Sequence, residues 1–456
     1  MTHTRRDLLQ RGALAGAGLV FAGELSGLFS RAPAVAATPG SPSGGRPLGP
    51  LLDDPNGLLD LPEGFGYRVL SQVGDIMDGG RPVPDSFDGM AAFGRYRWTV
   101  LVRNHEQDTE ATVPAIATPD FTYDRVALGG TTTLHMDRSG SIENQYTSLA
   151  GTNDNCAGGL TPWDTWLTCE ETEDRAGDDG QEKDHGFVFE VDPFRPRNNI
   201  HPTPLTGLGR FAHEAATIDP YRQVVYLTED AREPNGLVYR MLPHRPLRTY
   251  GSLRAGGVLQ AMRCTDGGTF VPDLSAYSVP GSRLQVGWVD VPDPLAAGVP
   301  TRVQLPEVTR SRKLEGLWWG RRSAYIVASY ARNTDGSVGE HDGQVWRLRP
   351  DRDTLTLEVS FGVNPDTASD RPDGPDNITV SPWGGVLLAE DGSGTQLLQA
   401  VSAEGVVVPL ARNARDESEF AGVCFSPDRR TLFANLQQPG VTFAITGPFN
   451  RVRNAS

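Results

Sequence analysis

Six stretches of the chain repeat one pattern, and this repetition limits the fold more than any other feature. They begin at Asp88 (DGMAAFGRYRWTVLVRNHE), Ala157 (AGGLTPWDTWLTCEETE), His213 (HEAATIDPYRQVVYLTEDA), Leu314 (LEGLWWGRRSAYIVASYAR), Pro375 (PDNITVSPWGGVLLAEDG) and Glu419 (EFAGVCFSPDRRTLFANLQQ). Each has a polar residue, a short apolar run, a turn, and a second apolar run that ends in polar residues. That is a strand, a hairpin turn and an antiparallel partner. Regular repetition of such units predicts an all-β fold, a six-bladed β-propeller. In an antiparallel pair the start of the first strand and the end of the second share one end of the sheet. If the first strand of each blade lines the central channel, both polar points of all six blades gather at one mouth.

Third strands are expected at His185–Pro193, Asn235–Pro243, Gly343–Pro350, Thr395–Ala403 and Val441–Pro448, where apolar alternation is bounded by Gly, Asn and Pro. The region Leu247–Pro306 must hold outer strands and an insertion. Glycine (52) and proline (35) are frequent, as many turns require. The net charge of −15 argues against nucleic acid as a partner and favours cations. No internal apolar run is long enough to suggest a membrane span in the mature chain.

The N-terminus has the form of a twin-arginine signal. Thr4-Arg5-Arg6-Asp7-Leu8-Leu9 precedes an apolar stretch from Gly12 to about Gly23, and Ala34-Val35-Ala36 offers a cleavage site. We therefore divide the chain into a signal over residues 1–37, a Pro/Gly/Ser-rich linker over 38–50, and the propeller over 51–456. The implied partner during export is the twin-arginine translocase, and the expected location is extracellular, periplasmic or cell-envelope. The four cysteines (Cys156, Cys169, Cys264, Cys424) are too few for a disulfide framework in so long a chain.

The polar points are rich in metal-capable residues. First-strand starts supply Asp88, Asn155, His213-Glu214, Glu315, Asp376-Asn377 and Glu419. Second-strand ends supply Asn104-His105-Glu106, Cys169-Glu170-Glu171, Glu229-Asp230, Glu390-Asp391 and Asn435. A thiolate among carboxylates suits a transition metal, with iron a sensible candidate, beside calcium held by oxygen ligands. From these we take Cys169, Glu170, Glu171, Glu214, Glu229, Glu315 and Glu390 as candidate metal ligands, and Lys313 and Asn155 as candidate catalytic residues. Lys313 lies two residues before Glu315 and would set a cation beside the ring. No G-x-S-x-G elbow, no H-E-x-x-H helix and no glycine-rich nucleotide loop is present.

At these residues the chain resembles the PhoX alkaline phosphatase family. The resemblance runs through the twin-arginine signal, LPEGFGYRVLS (Leu61–Ser71), Asp88-Gly89-Met90, Asn104-His105-Glu106 and TPWDTWLTCEE (Thr161–Glu171). It continues in DHGFVFEVDP (Asp184–Pro193), GRFAHEAA (Gly209–Ala216) and Leu314-Glu315-Gly316, and so spans nearly the whole mature chain. It implies a six-bladed propeller that hydrolyses small phosphate monoesters with Fe3+ and Ca2+ at the channel mouth. It also implies Cys169 as the thiolate ligand of iron, and Glu214 and Glu315 as carboxylate ligands. Lys313 stands where the family carries a phosphate-contacting arginine. From the residues alone, a Ca2+-dependent lactonase or esterase and a non-catalytic calcium-binding propeller remain alternatives.

Overall fold

The computed structural model describes residues 48–95 and 98–454, which belong to the unit Arg46–Ser456. The signal expected over residues 1–37 and the linker up to residue 47 lie outside the described residues. Regular structure is β, joined by loops with short 3-10 turns. Among the described residues no helix is long and apolar enough to cross a membrane.

The repeated stretches form antiparallel hairpins. They are Phe87–Arg95 with Trp98–His105, Asn155–Leu160 with Trp166–Glu170, and His213–Asp219 with Val224–Glu229. The others are Leu314–Gly320 with Ser323–Ala328, Pro375–Val380 with Val386–Glu390, and Phe420–Phe425 with Thr431–Leu436. The expected third strands pair next, at Val188–Val191, Val238–Pro243, Gly343–Arg349, Leu397–Val401 and Val441–Thr446. Gly129–Met136 is a further third strand, which the pattern did not signal.

These strands gather into five sheets, because Arg283–Asp290 pairs with both Gly257–Asp266 and Thr354–Phe361 and joins two groups into one ten-stranded sheet. This strand lies in the expected insertion. The first strands of successive hairpins pack side by side, and the last of them, Phe420–Phe425, packs against the first, Phe87–Arg95. The architecture is thus all-β and propeller-like.

Early strands complete sheets built from late ones. Gly66–Gln72 pairs with Val441–Thr446, and Leu59–Pro62 pairs with Val407–Asn413. The core lies between sheets rather than at a centre. One cluster joins Leu387 and Leu398 to Phe443 and Leu61; another joins Val225 and Tyr239 to Leu167 and Val188. Because both faces of the sheets are covered, second strands such as Val224–Glu229 are buried along their whole length. Sandwiching one apolar side chain this way stabilises the fold by roughly 1.5–3 kcal/mol.

Close approach of the first strands leaves little room on the axis. A Cβ at Gly89 would stand 2.7 Å from Ala157 Cα, and one at Gly316 would stand 2.8 Å from the Asp376 carbonyl oxygen. Trp318 borders the space that remains. It packs against apolar clusters from three inter-sheet layers and lines the axial cavity with Gly89, Gly316 and Gly422.

Candidate metal centre

A β-bulge at the start of every first strand shapes the mouth. In each hairpin one pair is made, or two in the last, and then two residues of the first strand oppose one residue of the second. Phe87 pairs with His105 and Met90 with Arg103; Asn155 pairs with Glu170 and Gly158 with Thr168. The same slip separates His213 from Ala216, Leu314 from Leu317, Pro375 from Ile378 and Ala421 from Cys424. A bulge bends its strand and re-aims a side chain. The leading bulge residues are Asp88, Cys156, Glu214, Glu315, Asp376 and Gly422.

Those residues converge. Cys156, Glu171 and Glu214 each offer a ligand atom within 4.8 Å of the others, as do Glu214, Glu315 and Asp376. The same holds for Asp376, Asp391 and Glu419, and for Asp88, Glu106 and Glu419. Glu214, Asp376 and Glu419 belong to two groups each, so the groups form one continuous arc. The sixth bulge carries no ligand. Gly422 has φ +61°, and a Cβ there would stand 2.4 Å from the Asp88 carbonyl oxygen, so a side chain would collide where the arc meets Asp88.

The electrostatics are severe. Glu214, Glu315 and Asp376 are buried together. Burial, and then the charges of Glu214, Glu171, Glu106 and Asp88, push the Cys156 thiol well above its ordinary value. Asp154, behind the mouth, is raised by burial and by Glu106, Asp108, Glu171 and Asp174. Lys313 Nζ donates to Glu315 Oε1 and, at 3.2 Å, to Asp391 Oδ2. It is held there by a left-handed backbone at φ +40°. A thiol and crowded carboxylates form the donor set that iron and calcium take, so the residues fit the expected ions.

Among the expected ligands, Glu171, Glu214 and Glu315 lie in these groups, and Lys313 touches them. The structure places the others elsewhere. Cys169 is the single residue opposite the bulge at Cys156, and it points into an apolar cluster with Leu167, Val188 and Phe211. The thiol at the mouth is Cys156, whose Sγ lies 3.3 Å from the Glu214 carbonyl oxygen. Glu170 turns away and binds its own loop. It accepts from the backbone N–H groups of Asn153, Gly186 and Phe187 at 2.9–3.0 Å, and lies 2.6 Å from His185 Nδ1. Glu390 accepts from the backbone N–H groups of Asp373 and Leu397 at 2.9 and 2.6 Å, and from Gln399. Glu229 accepts from Tyr239 Oη at 2.7 Å and Arg302 Nη1 at 3.0 Å. Asn155 is also committed, donating to Thr168 Oγ1 at 2.8 Å and accepting from Thr152 Oγ1 at 2.5 Å.

One rule accounts for the three glutamates. Where the second strand ends in His105, Glu170, Glu229 or Glu390, that residue pairs with the first strand and turns its side chain to neighbouring loops and strands. The following residue, Glu106, Glu171 or Asp391, faces the mouth. Asp376, Asp391, Asp88, Glu106 and Glu419 were visible as polar points in the sequence. Cys156 was visible only as a cysteine beside Asn155.

The chain matches the family model described as alkaline phosphatase PhoX over residues 47–146 and 139–440. Among solved structures it is similar to Pseudomonas fluorescens PhoX in complex with vanadate, described as a transition-state analogue. The identity is 19% and the TM-score 0.67, over 90% of this chain and 99% of that one. A gluconolactonase of Xanthomonas campestris aligns over 88% of this chain and 99% of its own at 12% identity, but its TM-score of 0.44 carries no argument. A search by sequence among curated proteins gives no match.

Proposed function

The chain belongs to the PhoX alkaline phosphatase family and is a phosphatase, and on that premise we propose that it hydrolyses small phosphate monoesters at the acidic mouth, with iron and calcium as resident metals. The carrying observation is the convergence of Cys156 and the carboxylates in four overlapping groups. A phosphate dianion cannot approach such a surface bare, since each close charge pair repels by about 4 kcal/mol near a protein surface. Cys156, Glu171, Glu214 and Glu315 would hold the softer ion, Asp88, Glu106, Asp391 and Glu419 suit calcium, and Asp376, which belongs to a group on each side, would serve both. When bound, the ions neutralise the carboxylates, draw in phosphate oxygens and activate the attacking water. Lys313 orients the phosphate with a single ammonium rather than a two-toothed guanidinium.

Two further points belong to this reading. The cycle of packed first strands, each leading its own hairpin, supports six blades. The Thr4–Leu9 motif and the apolar stretch after it support export by the twin-arginine route, the translocase acting as partner. Replacing Arg5 and Arg6 by lysines should then leave precursor inside the cell. The central test is metal analysis and 4-nitrophenyl phosphate hydrolysis on protein exported by its native host. Iron, calcium and turnover are expected together. Metal-replete protein without hydrolysis would sink the proposal.

A further inference from the structure

The residues that follow the second strands are acidic in four hairpins and not in the other two, where Ser329 and Gln437 stand. After the second strands, the residue facing the mouth is Glu106, Glu171 or Asp391 in three hairpins, and Asp230 follows Glu229 in another. After Ser323–Ala328 it is Ser329, whose hydroxyl is fully buried with no hydrogen-bond partner among the described residues. The next residue, Tyr330, is half-buried and ringed by cations. Lys313 Nζ lies 5.6 Å and Arg332 Cζ 5.4 Å from its ring centroid. Arg232, arriving from the neighbouring hairpin, donates from Nη2 to the Tyr330 hydroxyl at 3.5 Å.

These cations are not equivalent. Lys313 is bound to Glu315 and Asp391, and Arg332 to Asp342. Arg232 is exposed and makes no ion pair among the described residues. Its bond to the Tyr330 oxygen leaves the phenolic proton as a donor to something else. One sector of the rim therefore has an uncompensated guanidinium and a phenol, directly beside the lysine that would hold the phosphate.

The geometry points to a second anion subsite formed by Arg232, Tyr330 and Arg332, which takes a further negative group (a carboxylate or a second phosphate) carried by the leaving group. This rests on the phosphatase reading above and adds a substrate class to it: monoesters whose leaving group is itself anionic. Arg232 is the specificity-determining residue, since it brings charge to the sector without anchoring a strand.

The test compares phenyl phosphate with 4-carboxyphenyl phosphate on the full metal-loaded chain, reading the ratio of their kcat/KM values. Wild type is expected to favour the carboxylated ester. Arg232→Glu should lower that ratio about tenfold or more, mainly through KM, because a cation near a developing anion contact is replaced by a like charge. Arg232→Lys should keep the ratio within about twofold. A ratio indifferent to Arg232→Glu, or a parallel fall for both esters, overturns the subsite while leaving the phosphatase reading intact. A wild type that hydrolyses neither ester overturns both.

Discussion

Cys156 and Cys169 sit on paired strands, and a single bulge decides which of them a cation can reach. Cys156 leads the bulge and joins Glu171 and Glu214; Cys169 faces apolar side chains. On the proposed metal assignment, Cys156→Ala should therefore remove iron and a visible thiolate charge-transfer band. Cys169→Ala should keep both and cost about 1 kcal/mol of stability, as loss of a small buried group does. Optical spectra with metal analysis on the two variants separate these outcomes. Lys313 makes a second residue-scale prediction. Its ammonium binds Glu315 and Asp391, so it stands between the metal-capable carboxylates and the incoming phosphate. Lys313→Ala should lower kcat/KM for 4-nitrophenyl phosphate by about 2 kcal/mol, or roughly 30-fold, the worth of one charge-assisted hydrogen bond. Lys313→Arg should retain activity or raise it. Unchanged hydrolysis in Lys313→Ala, with metal content verified, would assign this lysine to neutralising the ring alone.

Elements explain why the sequence disclosed the ring but not its members. Strand pairs and polar ends could be read from alternation and turn residues, because both follow from a period of two. Which of two adjacent residues faces the mouth depends on parity, and the bulges reset parity on the first strand without marking it in the sequence. On the second strands the neighbours Glu170 and Glu171 divide in a similar way, and Glu170, Glu229 and Glu390 give their carboxylates to loop N–H groups or neighbouring side chains. The Arg283–Asp290 strand falls among the outer strands expected within Leu247–Pro306, but its bond to Thr354–Phe361, far along the chain, left no mark in the sequence. A loop anchor gives the prediction at this scale. His341 is buried; its backbone pairs with Ala331, and its Nδ1 accepts from the Gly343 N–H at 3.1 Å. Burial, the largest cause, holds its imidazolium down to about 4. A folded pKa below the unfolded one, about 6.5, gives stability that is present above pH 6.5 and lost as pH falls through 4. At most about 3 kcal/mol is involved, from roughly 2.5 pKa units at 1.36 kcal/mol each. His341→Asn should therefore lose less stability than wild type between pH 6.5 and 4 in parallel denaturant titrations. Identical acid profiles would show that His341 does not contribute to acid unfolding.

At the scale of the whole molecule, the mouth is where all the hairpins meet, so its charge bears on closure of the ring of strands. Buried carboxylates within 4.8 Å of one another repel, and the first strands that carry them must still pack side by side. Bound cations turn that strain into attachment. A ligand that binds only the folded chain adds about 2.7 kcal/mol at a hundredfold excess over its Kd. The same carboxylate should thus have opposite effects in the two states. In chelator-stripped protein, Asp376→Asn relieves repulsion within two of the groups and should raise the melting temperature. In protein supplied with calcium it removes a ligand, so it should lower the melting temperature and flatten its dependence on calcium concentration. Thermal melts of wild type and Asp376→Asn across a calcium series measure both signs in one experiment. A variant destabilised equally with and without calcium would mean that Asp376 serves packing alone, and the ring would then close without help from cations.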